Sequence, residues 1–105
     1  MTDLRTHDEH LLYVLRCRDD TFYTGYTTDV ERRVREHDAG DGAKYTRGRT
    51  PVALVHVEGF DSKSAAMSRE YELKQCSRER KERVVANGGV PDGVALPPAL
   101  VGGSP

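Results

Sequence analysis

The pattern of apolar and polar positions cuts the chain into short strands and helices. Leu11 to Arg18 (LLYVLRCR) is rich in β-formers, Asp19-Asp20 interrupts it, and Phe22-Tyr23-Thr24-Gly25-Tyr26 resumes it, which predicts two strands joined by an acidic turn. Positions 30, 33, 34 and 37 then follow the i, i+3, i+4, i+7 spacing of one helical face, and predict a helix from about Asp29 to Ala39. Thr28-Asp29-Val30-Glu31 matches a capping box at its start, and Gly40 lies just past its end. Gly40 to Thr50 (GDGAKYTRGRT) has no period and reads as a loop long enough to carry function. After Pro51, Val52 to Glu58 is almost continuously apolar and predicts a strand buried on both faces. Asp61-Ser62 opens a second helix reaching about Cys76, and Ser77 caps a third from Arg78 to about Asn87.

The predicted order is β-β-α-β-α-α, an α+β fold with a small three-stranded antiparallel sheet flanked by helices. Residues 1–9 form an N-terminal extension, 10–87 the folded domain, and the Gly/Pro-rich remainder, 88–105, a flexible tail. At 105 residues there is room for one domain only. No apolar run approaches the roughly 20 residues of a membrane span, and the first residues lack a basic segment followed by an apolar one, so a soluble cytoplasmic protein with no membrane partner is expected. Cys17 and Cys76 belong to no CxxC or CxxH pair; free thiols are expected and zinc is not.

Sixteen Lys and Arg against seventeen Asp and Glu give a net charge of -1, which by itself argues against a polyanionic partner. The distribution changes that picture, because Arg32 to Arg49 holds six bases against three acids. Within it Lys44, Tyr45, Arg47 and Arg49 interleave bases with one aromatic ring, a composition that suits phosphates and a stacked base.

Other polar residues stand where apolar ones are expected. Arg33 and His37 flank the inward stripe of the first helix, which Val30 and Val34 define. Glu70 sits in the middle of the stripe Ala66, Met67, Glu70, Leu73 on the second helix. A buried carboxylate is costly unless it is paired or holds a metal, so Glu70 reads either as an ion-pair partner of an arginine such as Arg33 or as a ligand to a divalent cation. Tyr13 and Tyr23 lie on neighbouring strands. An odd turn around Asp19-Asp20, or a bulge, puts both rings on one face; a strict two-residue turn puts them on opposite faces. Gly25, inside the second strand, suggests that something approaches the backbone closely.

With these residues in view, the sequence resembles a GIY-YIG nuclease domain. Leu11-Leu12-Tyr13 stands at the GIY element and Tyr23-Thr24-Gly25 at YIG; Arg33 follows ten residues after Tyr23, His37 one turn later, and Glu70 on the later helix. The match runs from about Leu11 to Ala86 and is most similar to the short stand-alone branch, whose members resemble the nuclease domain of the repair protein UvrC. The phrases YTGYTTDVERR and GAKYTRGRTPVALVHVE carry it. The resemblance implies a metal-dependent endonuclease hydrolysing phosphodiester bonds in DNA, with branched or damaged DNA in repair as the candidate substrate; a non-catalytic or weakly active nucleic-acid-binding module on the same scaffold is the alternative. It implies Glu70 as sole protein ligand of one Mg²⁺ or Mn²⁺, Arg33 neutralising charge on the phosphate, Tyr23 activating water with Tyr13 as partner or rival, and His37 orienting or relaying a proton. Two departures stand out. The Gly and Ile of GIY are both Leu here, and the downstream Asn of several members has no clear counterpart, Asn87 coming only at the end of the last helix and Glu82 standing nearer the expected place.

Overall fold

The computed structural model describes residues 10–90 and 94–102, so the N-terminal extension lies outside the described residues. Three strands, β1 (His10–Arg16), β2 (Phe22–Thr27) and β3 (Ala53–Phe60), form one antiparallel sheet in the order β2-β1-β3. Three helices follow the expected places: α1 (Val30–Asp38), α2 (Lys63–Lys74) and α3 (Arg78–Asn87).

Strand β1 is central, and Leu11 to Leu15 are all buried. Such side chains stabilise the fold by roughly 1.5–3 kcal/mol each relative to exposure. Their alternation divides two cores. Leu11, Tyr13 and Leu15 pack with Val30 and Val34 of α1 on one face; Leu12 and Val14 pack with Phe22, Val55 and Leu73 on the other, where Val84 and Val85 of α3 join them. The helices α1 and α2 therefore cover opposite faces of the sheet. Strand β3 serves both cores by alternation, and a bulge opposite Val14 and Leu15 of β1 lets Leu54 and Val57, three residues apart, share one core while Val55 enters the other. The two-sided burial read from its sequence is thus observed.

Local chemistry explains the helix limits. Ser62 and Ser77 accept from the amides of Ala65 and Arg80, at 3.1 and 3.2 Å, as N-caps of α2 and α3. The capping box at Thr28 does not form. Thr27 Oγ1 accepts the Asp29 amide at 3.1 Å, which keeps the chain extended one residue further, and Asp29 becomes the N-cap by accepting from the Arg32 amide at 3.1 Å. Glu31, the acid of that expected box, instead accepts the amide of Ala95. A second difference concerns α2, whose inward face centres on Ala66 and Leu73, one heptad apart; Met67 lies outside it and is 40% exposed.

The segment expected to be a flexible tail instead docks where it is described. Val90, Val94 and Leu96 pack on the first core and Leu100, in a 3₁₀ turn (Pro98–Leu100), is buried in it. Val101 bridges Leu54 in parallel and the Gly102 amide donates to the Leu54 carbonyl at 2.7 Å, so the tail covers part of the outer edge of β3. Residues 91–93 and 103–105 lie outside the description.

Candidate active site

The turn from Cys17 to Thr21 is odd in length, and the resulting register pairs Tyr13 with Gly25 and Leu15 with Tyr23. Cross-strand partners share a face, so both tyrosines point to the side of α1, the first of the two arrangements the sequence allowed. Their ring centroids lie 6.3 Å apart. Gly25 is explained by the same register: a Cβ there would sit 2.5 Å from Tyr13 Oη, so the close approach to the backbone is that of the Tyr13 ring itself.

Helix α1 brings Arg33 and His37 to these rings. Val30 and Val34 anchor its inner side, which carries His37 into full burial with its ring centroid 5.7 Å from Tyr13 and 5.1 Å from Tyr23. His37 Nε2 lies 2.7 Å from Tyr13 Oη. Arg33, one turn earlier, hydrogen-bonds Glu36 at 3.1 Å, and its charge acts on Tyr13.

Burial is the main electrostatic influence here. It raises the Tyr13 phenol well above its usual range, the neighbouring Tyr23 and Glu70 add to the effect, and Arg33 counters it. It also lowers His37 to about 4, with the Arg33 charge acting in the same direction, so the imidazole is neutral at physiological pH. Arg33 loses by its own burial, but its hydrogen bond to Glu36 and the neighbouring Tyr13 outweigh that and hold its proton more firmly.

The loop after α1 is built onto this cluster. The Tyr45 ring stacks on Tyr23 with centroids 5.9 Å apart, and the Arg49 guanidinium lies 4.2 Å over Tyr45 while bonding Asp19 at 3.0 Å and the Tyr45 carbonyl at 2.7 Å. Tyr45 and Arg49 thus engage each other and the hairpin turn. Lys44 and Arg47 are exposed, and their side chains meet no hydrogen-bond or ion-pair partner among the described residues. Thr46, between them, is fully buried with its hydroxyl 2.7 Å from His37 Nδ1. Sequence reading missed Thr46 because a threonine in a charged loop carries no signal of burial; the flanking glycines are the one hint of close packing.

Glu70 stands on α2, the helix that covers the other face of the sheet. Its carboxylate is 14% exposed and lies 3.5 Å from Lys74, so the ion pair it makes is with the next turn of its own helix, while Arg33 pairs with Glu36. The charge of Glu70 is nonetheless felt by Tyr13. No group of three His, Cys, Asp or Glu that could hold a metal occurs among the described residues. One largely enclosed carboxylate fits a hard ion such as Mg²⁺ or Mn²⁺, which keeps most of its waters. Cys17 and Cys76 are both free thiols, packed in different cores. Glu82, which stands nearest the place of the family's downstream Asn, is exposed and bonded to Arg78 at 3.0 Å.

Residues 9–83 match the model of the GIY-YIG catalytic domain. The chain belongs to the GIY-YIG family. It is 72% identical over 79 residues to a UPF0213 protein of Natronomonas pharaonis, covering 75% of this chain and 93% of that one. A UPF0213 protein of Halobacterium salinarum is 71% identical over 73 residues, covering 70% and 95%. Among solved structures, the solution NMR structure of a UPF0213 protein from Bacillus halodurans is 54% identical and covers 78% of this chain and 87% of that one, with a TM-score of 0.53. The α+β fold and its β-β-α-β-α-α order are those of this GIY-YIG group. GIY-YIG domains form a nuclease family acting on nucleic acid, typically with a divalent metal. Among the described residues no helix is long and apolar enough to cross a membrane.

Proposed function

We propose that this protein is a metal-dependent endonuclease that hydrolyses phosphodiester bonds in DNA, branched or damaged DNA in a repair setting, within the cytoplasm. The observation that carries the reading is the hydrogen-bonded pair Tyr13–His37, with Tyr23 packed against it and the charges of Arg33 and Glu70 acting on it.

In this reading Glu70 holds one Mg²⁺ or Mn²⁺, which polarises the scissile phosphate and stabilises the leaving oxygen when bound. Arg33 neutralises the charge that builds on the phosphate oxygens. Tyr23, half-buried where Tyr13 is sealed in, accepts a proton from the attacking water. Phenols ionise near pH 10 in water, so a neighbouring guanidinium is needed to favour the ionised form. Tyr13 and His37 fix the position of this pair. Lys44 and Arg47 hold the flanking phosphates, and Tyr45 and Arg49 support that surface.

The test is incubation with nicked, flapped and single-stranded DNA plus Mg²⁺ or Mn²⁺, beside Glu70→Gln and Tyr23→Phe variants. The parent cuts; Glu70→Gln loses activity by at least roughly a hundredfold while both variants still bind. Binding without cutting by the parent supports the rival, a nucleic-acid-binding module that does not cleave. The family's downstream Asn has no clear counterpart, and Glu82, which stands nearer its expected place than Asn87, is exposed and paired with Arg78, which favours that rival.

A further inference from the structure

The imidazole of His37 is fully buried, and each of its nitrogens has partners, so the position of its single proton follows from what those partners can do. Nδ1 faces two groups of the loop: the backbone amide of Ala43 at 3.3 Å and the hydroxyl of Thr46 at 2.7 Å. Nε2 faces Tyr13 Oη at 2.7 Å. A hydroxyl can turn either way, but a backbone N–H is a permanent donor. A proton on Nδ1 would set two donors head to head. A lone pair on Nδ1 receives the Ala43 amide and leaves the Thr46 hydroxyl free to donate as well. Among the described residues the one competing acceptor for that hydroxyl is the Ala43 carbonyl at 3.0 Å, which already takes the amides of Thr46 and Arg47 at 3.1 and 3.2 Å.

We infer that the Ala43 amide and the Thr46 hydroxyl hold His37 as the Nε2–H tautomer, which makes the imidazole a donor to the Tyr13 phenol and not the acceptor of its proton. Thr46 is then a positioning residue that acts through His37. The backbone is shaped for this contact: a Cβ on Gly42 would lie 2.3 Å from Nδ1, so the chain passes over the ring only because residue 42 has no side chain. Tyr13 Oη, accepting from His37, keeps its own proton free to donate elsewhere. The same loop carries Lys44 and Arg47, so a shift of the loop on binding phosphate moves the groups that set this tautomer. This last consequence rests on the proposed nuclease reading; the tautomer does not.

Long-range ¹H–¹⁵N correlation spectra of the full ¹⁵N-labelled chain at neutral pH read the tautomer without any activity. The expected spectrum shows a protonated, pyrrole-type Nε2 and an unprotonated, pyridine-type Nδ1. In Thr46→Val the hydroxyl is lost at nearly constant shape, and the ratio of the two tautomers is expected to fall by about fivefold, the size of one net hydrogen bond, with Thr46→Ser restoring it. A protonated Nδ1 in the parent overturns the inference, and so do unmoved His37 nitrogens in Thr46→Val. If Thr46→Val fails to fold, the parent spectrum still decides. Absence of DNA cleavage beside the expected spectrum would defeat the nuclease reading alone.

Discussion

Arg69 of α2 grips Glu58 of β3 with two near-parallel hydrogen bonds, Nε to Oε1 at 2.9 Å and Nη2 to Oε2 at 3.1 Å, and the residue after Arg69 is Glu70. A two-pronged contact resists rotation where a single one does not. It therefore fixes the roll of α2 and with it the side of the helix from which Glu70 leaves. Arg69→Lys keeps the charge but loses the fork. It is expected to lower stability by about 1–2 kcal/mol in urea titration and to weaken any Mn²⁺ binding at Glu70 as well, while Glu72→Ala, on the exposed side of the same arginine, does neither. Unchanged metal affinity in Arg69→Lys would leave the contact a stabilising one only.

Two groups make stability depend on pH in successive windows that overlap between pH 4.5 and 4. His37 falls from 6.5 to about 4 through burial, so the unfolded chain takes up a proton below pH 6.5 that the folded one refuses. Stability present above pH 6.5 is lost as pH falls toward 4, by at most about 3 kcal/mol. Glu58 falls from 4.5 to about 2, chiefly through its hydrogen bond from His56, with burial opposing and Arg69 assisting. Its contribution is present above pH 4.5 and lost toward pH 2, by about 1–2 kcal/mol once its partial exposure is allowed for. Urea midpoints against pH are expected to flatten between 6.5 and 4 in His37→Gln and below 4.5 in Glu58→Gln. A His37→Gln curve with the parent's slope in its window would contradict the burial argument.

How much of this was legible in the sequence depends on whether the cause was local. Helix α3 begins at Arg78 behind Ser77, as expected, because a serine cap acts over three residues. The box at Thr28 was equally local and failed, since Thr27, still in β2, took the Asp29 amide first. The pairing of Tyr13 and Tyr23 on one face hung on turn length, and Asp20, with φ of 67°, lets the odd turn close. Two features had no local signal. Val94, Leu96 and Leu100 are isolated among Gly and Pro, and their burial comes from an open strand edge far away in sequence. Thr46 is buried by His37, nine residues earlier. For the candidate site, residue types and spacing brought Tyr13, Tyr23, Arg33 and His37 to attention, but the partner of Glu70 and the sandwiching of Tyr45 are properties of packing.

Gly25 and Tyr13 form a steric lock that a single methyl group tests. In Gly25→Ala the new Cβ would meet Tyr13 Oη at 2.5 Å, and Tyr13, 1% exposed and bonded to His37, has no free space to enter. The expected cost is about 1–3 kcal/mol, with displacement of the phenol from Nε2. The ring carbons Cζ and Cε1 would also lie 2.6 and 2.9 Å from the new Cβ, so Gly25→Ala combined with Tyr13→Ala, which removes the whole ring, is expected to cost less than the two single losses added together. Thermal denaturation of the four proteins gives the coupling; strictly additive losses would show that the alanine disturbs the strand and not the ring.

Lys44, Arg47 and Arg49 share one loop but not one role. Lys44 and Arg47 have unengaged charges among the described residues, whereas Arg49 is committed to Asp19 and to the Tyr45 ring. Phosphate contact through the first two predicts that Lys44→Ala and Arg47→Ala weaken DNA binding alike for every sequence and reduce the slope of log affinity against log salt by about one each. Arg49→Ala changes something else: it uncaps Tyr45 and releases the loop from the hairpin turn, so affinity falls with little change of slope and the fluorescence of Tyr45 alters even without DNA. Fluorescence anisotropy titrations between low and moderate salt separate the two behaviours. A slope change for Arg49→Ala as large as that for Lys44→Ala would mean that Arg49 leaves Asp19 for a phosphate when DNA binds.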